Sequence, residues 1–269
     1  MKFLSFNAYT LKWIAVIAMV MNHIAIGLNP VLPLPVLLPL FAAGGLTYTI
    51  MAYFVVEGYH YTSNLKKYIS RLLIFGLIAQ AFHPMVLGIT AIMPGIFLNI
   101  MFTITLSLIV LILYDKIKVR FLFWLLFVAA CAAALYMDLF FMGILVPFLY
   151  YTIKKENLRR ILPGIIGGSV SLIFGLLSLF ALLMLQNTPG MEAEFQYALE
   201  STGMSMDLIL ASPTFALGSF LGAVLIKNYN GERGKPAKWL FYVAYPLHLA
   251  VIAGVGAALG VVEFSLFGL

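Results

Sequence analysis

Leu11 to Leu28 reads LKWIAVIAMVMNHIAIGL, an apolar run of membrane length opened by a lysine and interrupted by Asn22-His23. Such a run leaves a chain few options, because hydrocarbon offers no partner for backbone N–H and C=O groups and a helix satisfies its own. At about 1.5 Å per residue, the step from Lys12 to His23 spans roughly 16 Å. With Lys12 at one interface, His23 lies near mid-membrane or somewhat beyond it. An ionisable group there costs about 3 kcal/mol on insertion scales. That cost points to function, against the plainer account of a neutral imidazole bonded to a neighbouring helix.

Composition extends this reading to the whole chain. It has 269 residues, 63% hydrophobic and 10% charged, with a mean hydropathy of +1.05. Those values exclude an ordinary soluble domain and define an all-α, polytopic integral membrane bundle. Apolar runs of about 17 to 25 residues use nearly all of the chain, so residues 1–269 are expected to form a single transmembrane domain. The net charge of +6 could suggest nucleic acid, but Lys and Arg fall in short loops between spans. That pattern is topogenic, and no nucleic-acid partner is expected. The first run is too long for a signal-peptide core and is expected as an uncleaved span.

Nine spans are expected. Span 1 ends at Gly27-Leu28, and Asn29-Pro30 with Pro33, Pro35 and Pro39 predict an extended connector. Span 2 runs from Leu37 to Val56, ending at Glu57-Gly58-Tyr59-His60. Span 3 covers Tyr68 to Leu87 and span 4 Pro94 to Tyr114, with Asn99, Thr103 and Ser107 on one helical face. Spans 5 (Phe121 to Tyr136) and 6 (Leu139 to Ile153) form a hairpin around Met137-Asp138. Span 7 runs from Ile161 to Leu185. The connector Gln186 to Asp207 carries Met191, Phe195 and Leu199 at helical spacing among acidic residues, which predicts an amphipathic surface helix. Span 8 (Met206 to Ile226) is expected to kink at Pro213, and span 9 runs from Trp239 to Val261. With the N-terminus in the cytoplasm, all 16 Lys and Arg fall on the cytoplasmic side or at helix ends facing it.

Four histidines occur, His23, His60, His83 and His248. Their spacing forms no metal-ligand motif, so no metal is expected. Lys12-Trp13 precedes His23 as Lys238-Trp239 precedes His248, which puts both imidazoles at similar depth. Two readings of His248 stand: partner to His23 in proton transfer, or a group satisfying the carbonyl freed by Pro246. Glu57 either pairs with Lys66, Lys67 or Arg71 or shares a pocket with Arg71. His83-Pro84 is expected to cap a helix end. Asn99 is either helix–helix glue or pocket lining.

Five blocks in order, LKWIAVIAMVMNHI, FVVEGYHYT, KYISRLLIFGLIAQ, LNIMFTITLSLIVL and FYVAYPLHLAVI, resemble the TraX family. That family is named for a conjugation-associated protein that N-acetylates pilin, and it is similar in pattern to the membrane acyltransferase-3 proteins. Those carry a basic residue, ten intervening residues and a histidine in the first span, and Lys12 and His23 match that spacing. The resemblance implies that His23 is the catalytic base and that Lys12 helps hold acyl-CoA. Asn22 stands where the acyltransferase-3 proteins usually carry Asp, and an amide cannot stabilise an imidazolium by charge.

The expected chemistry is acyl transfer from cytoplasmic acetyl-CoA to a peptide N-terminus, a sugar or a lipid head group. Lys12, Arg71, Lys66 and Lys67 are expected to hold the phosphates. His23, with Asn22 and His248, is expected to carry the chemistry, while Glu57, Tyr59, Asn99 and Tyr245 contact substrate. Asn22, Asn99 or Tyr245 could donate to the developing oxyanion. Membrane lipids are the surrounding partners, the bacterial inner membrane the expected site, and a homo-oligomer stays open. The rival is a secondary transporter with buried His and Glu in its path; a non-catalytic assembly subunit is the third reading.

Overall fold

The computed structural model describes residues 5–88, 97–202, 204–236 and 238–262, and these are helical, with no strand among them. The helices are α1 (Ala8–Gly27), α2 (Leu34–Tyr61), α3 (Leu65–Gln80), α4 (His83–Leu87), α5 (Ile100–Lys116), α6 (Arg120–Ala133) and α7 (Met142–Thr152). The chain continues with α8 (Glu156–Arg159), α9 (Leu162–Asn187), α10 (Glu192–Thr202), α11 (Met206–Ala211), α12 (Phe215–Lys227) and α13 (Lys238–Ala258). Among the described residues, five stretches are long and apolar enough to cross a membrane: Ala8–Gly27, Leu34–Tyr61, Glu156–Asn187, Met206–Lys227 and Phe241–Ala258. The other segments expected as spans are helical but shorter: α3 has 16 residues, α5 17, α6 14 and α7 11. Large apolar side chains such as Ile17, Leu77, Phe121, Val128, Phe180 and Leu217 are more than half exposed. A surface this apolar suits lipid and not water, and the chain is an integral membrane protein.

Two expected boundaries move, each at a proline. The connector after span 1 is not extended: Asn29–Val31 is a 3-10 turn and α2 already begins at Leu34. Pro35 lies in the first turn, where a missing N–H has no helical bond to lose. Pro39 lies inside the helix and removes only the donor to the Pro35 carbonyl. Span 3 breaks at Ala81-Phe82 into α3 and α4, because Pro84 could not donate to the Gln80 carbonyl of a continuous helix. The start of span 4 before residue 97 lies outside the described residues; α5 begins at Ile100 with Asn99 as its cap. Two expectations hold. Span 8 is interrupted at Ser212–Thr214 around Pro213, and α10, with Met191 just before it, keeps Phe195 and Leu199 partly buried while Glu192, Glu194 and Glu200 are exposed.

α2 is the spine of the bundle, packed against α1 on one side and α12 on the other, with α7 and α5 behind it. Its crossing with α12 depends on a reciprocal pair of glycines. A Cβ on Gly218 would strike the Ala42 carbonyl, and one on Gly45 would strike the Phe215 carbonyl. Backbone therefore meets backbone, the close approach on which helix association in lipid relies. The first and last helices are also neighbours: α1 packs on α13, and short α4 packs on both. Replacing Gly218 by Val should lower stability by about 1–3 kcal/mol through overpacking, read as a lower melting temperature in detergent. Gly254→Ala, where a Cβ meets nothing within 4 Å, should leave that temperature in place.

Candidate functional site

The contact of α1 with α13 brings His23 and His248 together, with ring centroids 4.8 Å apart and planes at 65°. Tyr245 completes the group, 6.0 Å from His23 and 5.5 Å from His248. Each histidine Nδ1 is engaged by its own helix, His23 with the Met19 carbonyl at 2.9 Å and His248 with the Ala244 carbonyl at 2.7 Å. A carbonyl only accepts, so each Nδ1 carries the ring proton and each Nε2 keeps its lone pair. His248 Nε2 is buried without a protein partner. Pro246 frees the Tyr242 carbonyl, and His248 bonds the Ala244 carbonyl instead, so it is not the satisfier of the proline break.

The other polar residues of the sequence reading divide. Asn22 donates from Nδ2 to the Phe41 carbonyl of α2 at 3.4 Å, lodged where Gly44 has no side chain; its amide serves the α1–α2 contact and not the histidine pair. Asn99 is fully buried and caps α5, with Nδ2 donating to the Gly76 carbonyl at 2.7 Å and to Gln80 Oε1 at 2.9 Å. It is glue between α3 and α5. Tyr59 donates to Asp115 at 2.6 Å, beside Tyr151, which donates to the same carboxylate. His83 is fully buried, and its Nε2 meets Asp138 Oδ2 at 3.0 Å, an ion-pair geometry that its reading as a helix cap missed.

A cavity of about 650 Å³ opens at the end of the bundle where α1 starts, α2 ends and α3 starts. Four cations line it, Lys12, Arg71, Arg233 and Lys235, with Glu57 and Tyr68 among their neighbours. Lys12 lies over the Phe54 and Phe241 rings, 4.9 and 5.6 Å from their centroids, and Arg71 lies 5.5 Å over Tyr242. These contacts hold the charged heads in place with their faces to the cavity. Glu57 lines the cavity with Arg71, as the second of its two readings has it, and its electrostatic neighbours are Arg159, His60, Arg160 and Lys12. Lys66 and Lys67 are exposed in the first turn of α3 and do not line the cavity.

Arg233 and Lys235 were missed by the sequence reading, which took their loop as topogenic. The segment before α1 pairs with that loop: Phe6 N–H donates to the Asn228 carbonyl, Asn230 N–H to the Phe6 carbonyl and Ala8 N–H to the Glu232 carbonyl. Gly234, at φ +67°, lies so close to Asn7 and Tyr9 that a Cβ there would be 2.8 Å from each. No local sequence pattern announces this strap; it brings residues over two hundred positions apart to one wall. The far end of the cavity is apolar, at Met51, Met101 and Ile104. Met101 belongs to the same buried apolar cluster as Tyr245 and Leu249, so apolar packing connects the cavity wall to the histidine group, which does not itself line the cavity.

A polytopic helical membrane protein with paired histidines in its bundle and a cationic cavity beside them is the class that fold and site define. Residues 7–256 match the TraX protein family, and the chain belongs to it. It is also 28% identical over 270 residues, covering 93% of this chain and 95% of the relative, to a Dichelobacter nodosus protein described as a probable fimbrial assembly protein FimC, serogroup H1. No solved structure matches. The hydrogen bonds give a prediction of their own. 15N NMR of imidazole-labelled protein should show His23 and His248 both as the Nδ1–H tautomer, whereas an Nε2–H signature at either would contradict the geometry.

Proposed function

We propose that the protein is an integral membrane acyltransferase, related to the acyltransferase-3 proteins, that moves an acetyl group from cytoplasmic acetyl-CoA to an amine or hydroxyl. The observation that carries the reading is the cationic cavity set beside a histidine pair with free Nε2 lone pairs. Acyl-CoA bears phosphates at one end and its thioester at the end of a long flexible arm. Lys12, Arg71, Arg233 and Lys235 suit the phosphates, and the apolar end at Met101 suits the arm. In this reading all nine hydrophobic segments cross the bacterial inner membrane with the N-terminus and the cavity in the cytoplasm. The four short ones then cross where the bilayer thins or dips around the protein.

His23 Nε2 accepts the proton of the acceptor's N–H or O–H as that atom attacks the thioester carbonyl. The new C–N or C–O bond forms, the C–S bond breaks, and the proton passes from His23 to the departing CoA sulfur. The buried Tyr245 ring beside both histidines puts a hydroxyl on the residue best placed to donate to the oxyanion. The name of the Dichelobacter relative directs the choice of acceptor towards a fimbrial subunit.

Calorimetry on purified protein in detergent tests the donor site. Acetyl-CoA should bind with micromolar affinity, and Lys12→Ala or Arg233→Ala should weaken it about tenfold, since a charge-assisted contact contributes roughly 1.5–3 kcal/mol. Folded protein that binds no acyl-CoA would overturn the reading and favour flux assays for the transporter. His23→Ala should keep acetyl-CoA binding and lose about 10²–10⁴-fold in transfer; full transfer by this variant would remove His23 as base.

A further inference from the structure

The base has a gap in its surroundings. When His23 takes a proton it becomes a cation inside an apolar bundle, and its neighbour Asn22 is committed to α2 and carries no charge. His248 and Tyr245 are uncharged. A buried cation without a counter-charge is costly, so the carboxylate nearest in effect decides how easily the proton is accepted.

That carboxylate is Asp138. It sits in the turn between α6 and α7, pinned by backbone bonds from Asp138 N–H to the Leu98 carbonyl and from Leu98 N–H to the Tyr136 carbonyl. Thr103 Oγ1 also donates to the Asp138 carbonyl at 3.0 Å. Leu139 and Phe140 follow with φ of +64° and +47°. Two successive non-glycine residues in the left-handed region cost of order 1–3 kcal/mol each and persist where the surroundings force them. The strained turn aims the carboxylate at His83, which is fully buried, stacked on Phe97 and joined to Asp138 Oδ2 at 3.0 Å. His83 opens α4, and α4 is wedged against both α1 and α13, the helices of the histidine pair. Val86 of this helix packs near Gly27 of α1, four residues beyond His23. Asp138 interacts electrostatically with His23 and with Tyr245, whereas His83 acts on His23 in the opposite sense. Meanwhile His83 Nδ1 is buried with no protein partner, which leaves one end of this dyad uncommitted.

We propose that Asp138, held by its strained turn and tied to α4 by His83, is the positioning counter-charge of the histidine pair, so that the α6–α7 turn supplies what Asn22 cannot. The inference rests on His23 being the base; the carboxylate acts on that imidazole by charge alone, since His23 Nδ1 is bonded to the Met19 carbonyl and Asp138 to His83. Asp138 exchanges no proton with substrate.

The test uses full-length protein in nanodiscs with 15N-labelled imidazoles at one fixed pH. Asp138→Asn should displace the His23 ring resonances and Asp138→Glu should restore them, while His60, at the opposite end of α2, stays in place. In native membranes, which supply the acceptor, release of CoA thiol from acetyl-CoA should fall about tenfold in kcat for Asp138→Asn, with KM for acetyl-CoA unchanged. His83→Gln provides the same reading should the Asp138 variant fold poorly. His23 resonances unmoved by either substitution overturn the inference. The spectrum decides it without any turnover, whereas absence of CoA release from wild type would sink the acyltransferase reading instead.

Discussion

A polar atom inside an apolar bundle must find a partner in the chain, because lipid offers none. The arrangement of this protein follows from how each such atom is satisfied. Nδ1 of His23 and of His248 each turn back onto a carbonyl of their own helix. That fixes the tautomer, points both Nε2 atoms away from their backbones and leaves them as the bundle's available proton acceptors. The asparagines are spent differently. Asn22 ties α1 to α2 and Asn99 ties α3 to α5, so the amides make the frame rigid and the imidazoles stay available.

The same requirement explains why the site is built from first and last helices with a wedge between them. α4 is only five residues long, too short to stand alone, and it is held by apolar contacts of Met85 and Val86 with the cluster around Tyr245 and Leu249. Its one polar side chain, His83, cannot be left bare at that depth, and the Asp138 turn answers it across 55 residues of sequence. Packing and electrostatics are thus one problem here: the helix that His83 and Asp138 anchor is the one wedged against both histidine-bearing helices.

Much of this was legible in the residues. Hydropathy located the helices, Pro213 the break in α11–α12, and the Met191, Phe195, Leu199 spacing the surface helix. The repeated Lys-Trp preceding His23 and His248 put both rings at one depth, and the structure brings those rings to 4.8 Å. What escaped was of two kinds. A proline in the first turn of a helix, or one tolerated just inside it, looks the same in sequence as a proline in a connector, so Pro35 and Pro39 misled. Long-range pairing leaves no local trace either: Arg233 and Lys235 joined Lys12 only through the Phe6–Asn230 strap, and His83 met Asp138 only through tertiary packing. Asn22 looked chemical because it adjoins His23, yet neighbours on a helix point about 100° apart, and it faces the spine.

The strap has a consequence for how the protein comes into being. The cationic cavity is walled by residues from both ends of the chain, and its α1 side is locked by backbone bonds to the loop after α12. His23 gains its partner ring only once α13 has packed against α1. Until then the earlier helices carry half a pocket and a solitary imidazole. Docking of α13 and the loop before it completes both the cavity wall and the ring pair.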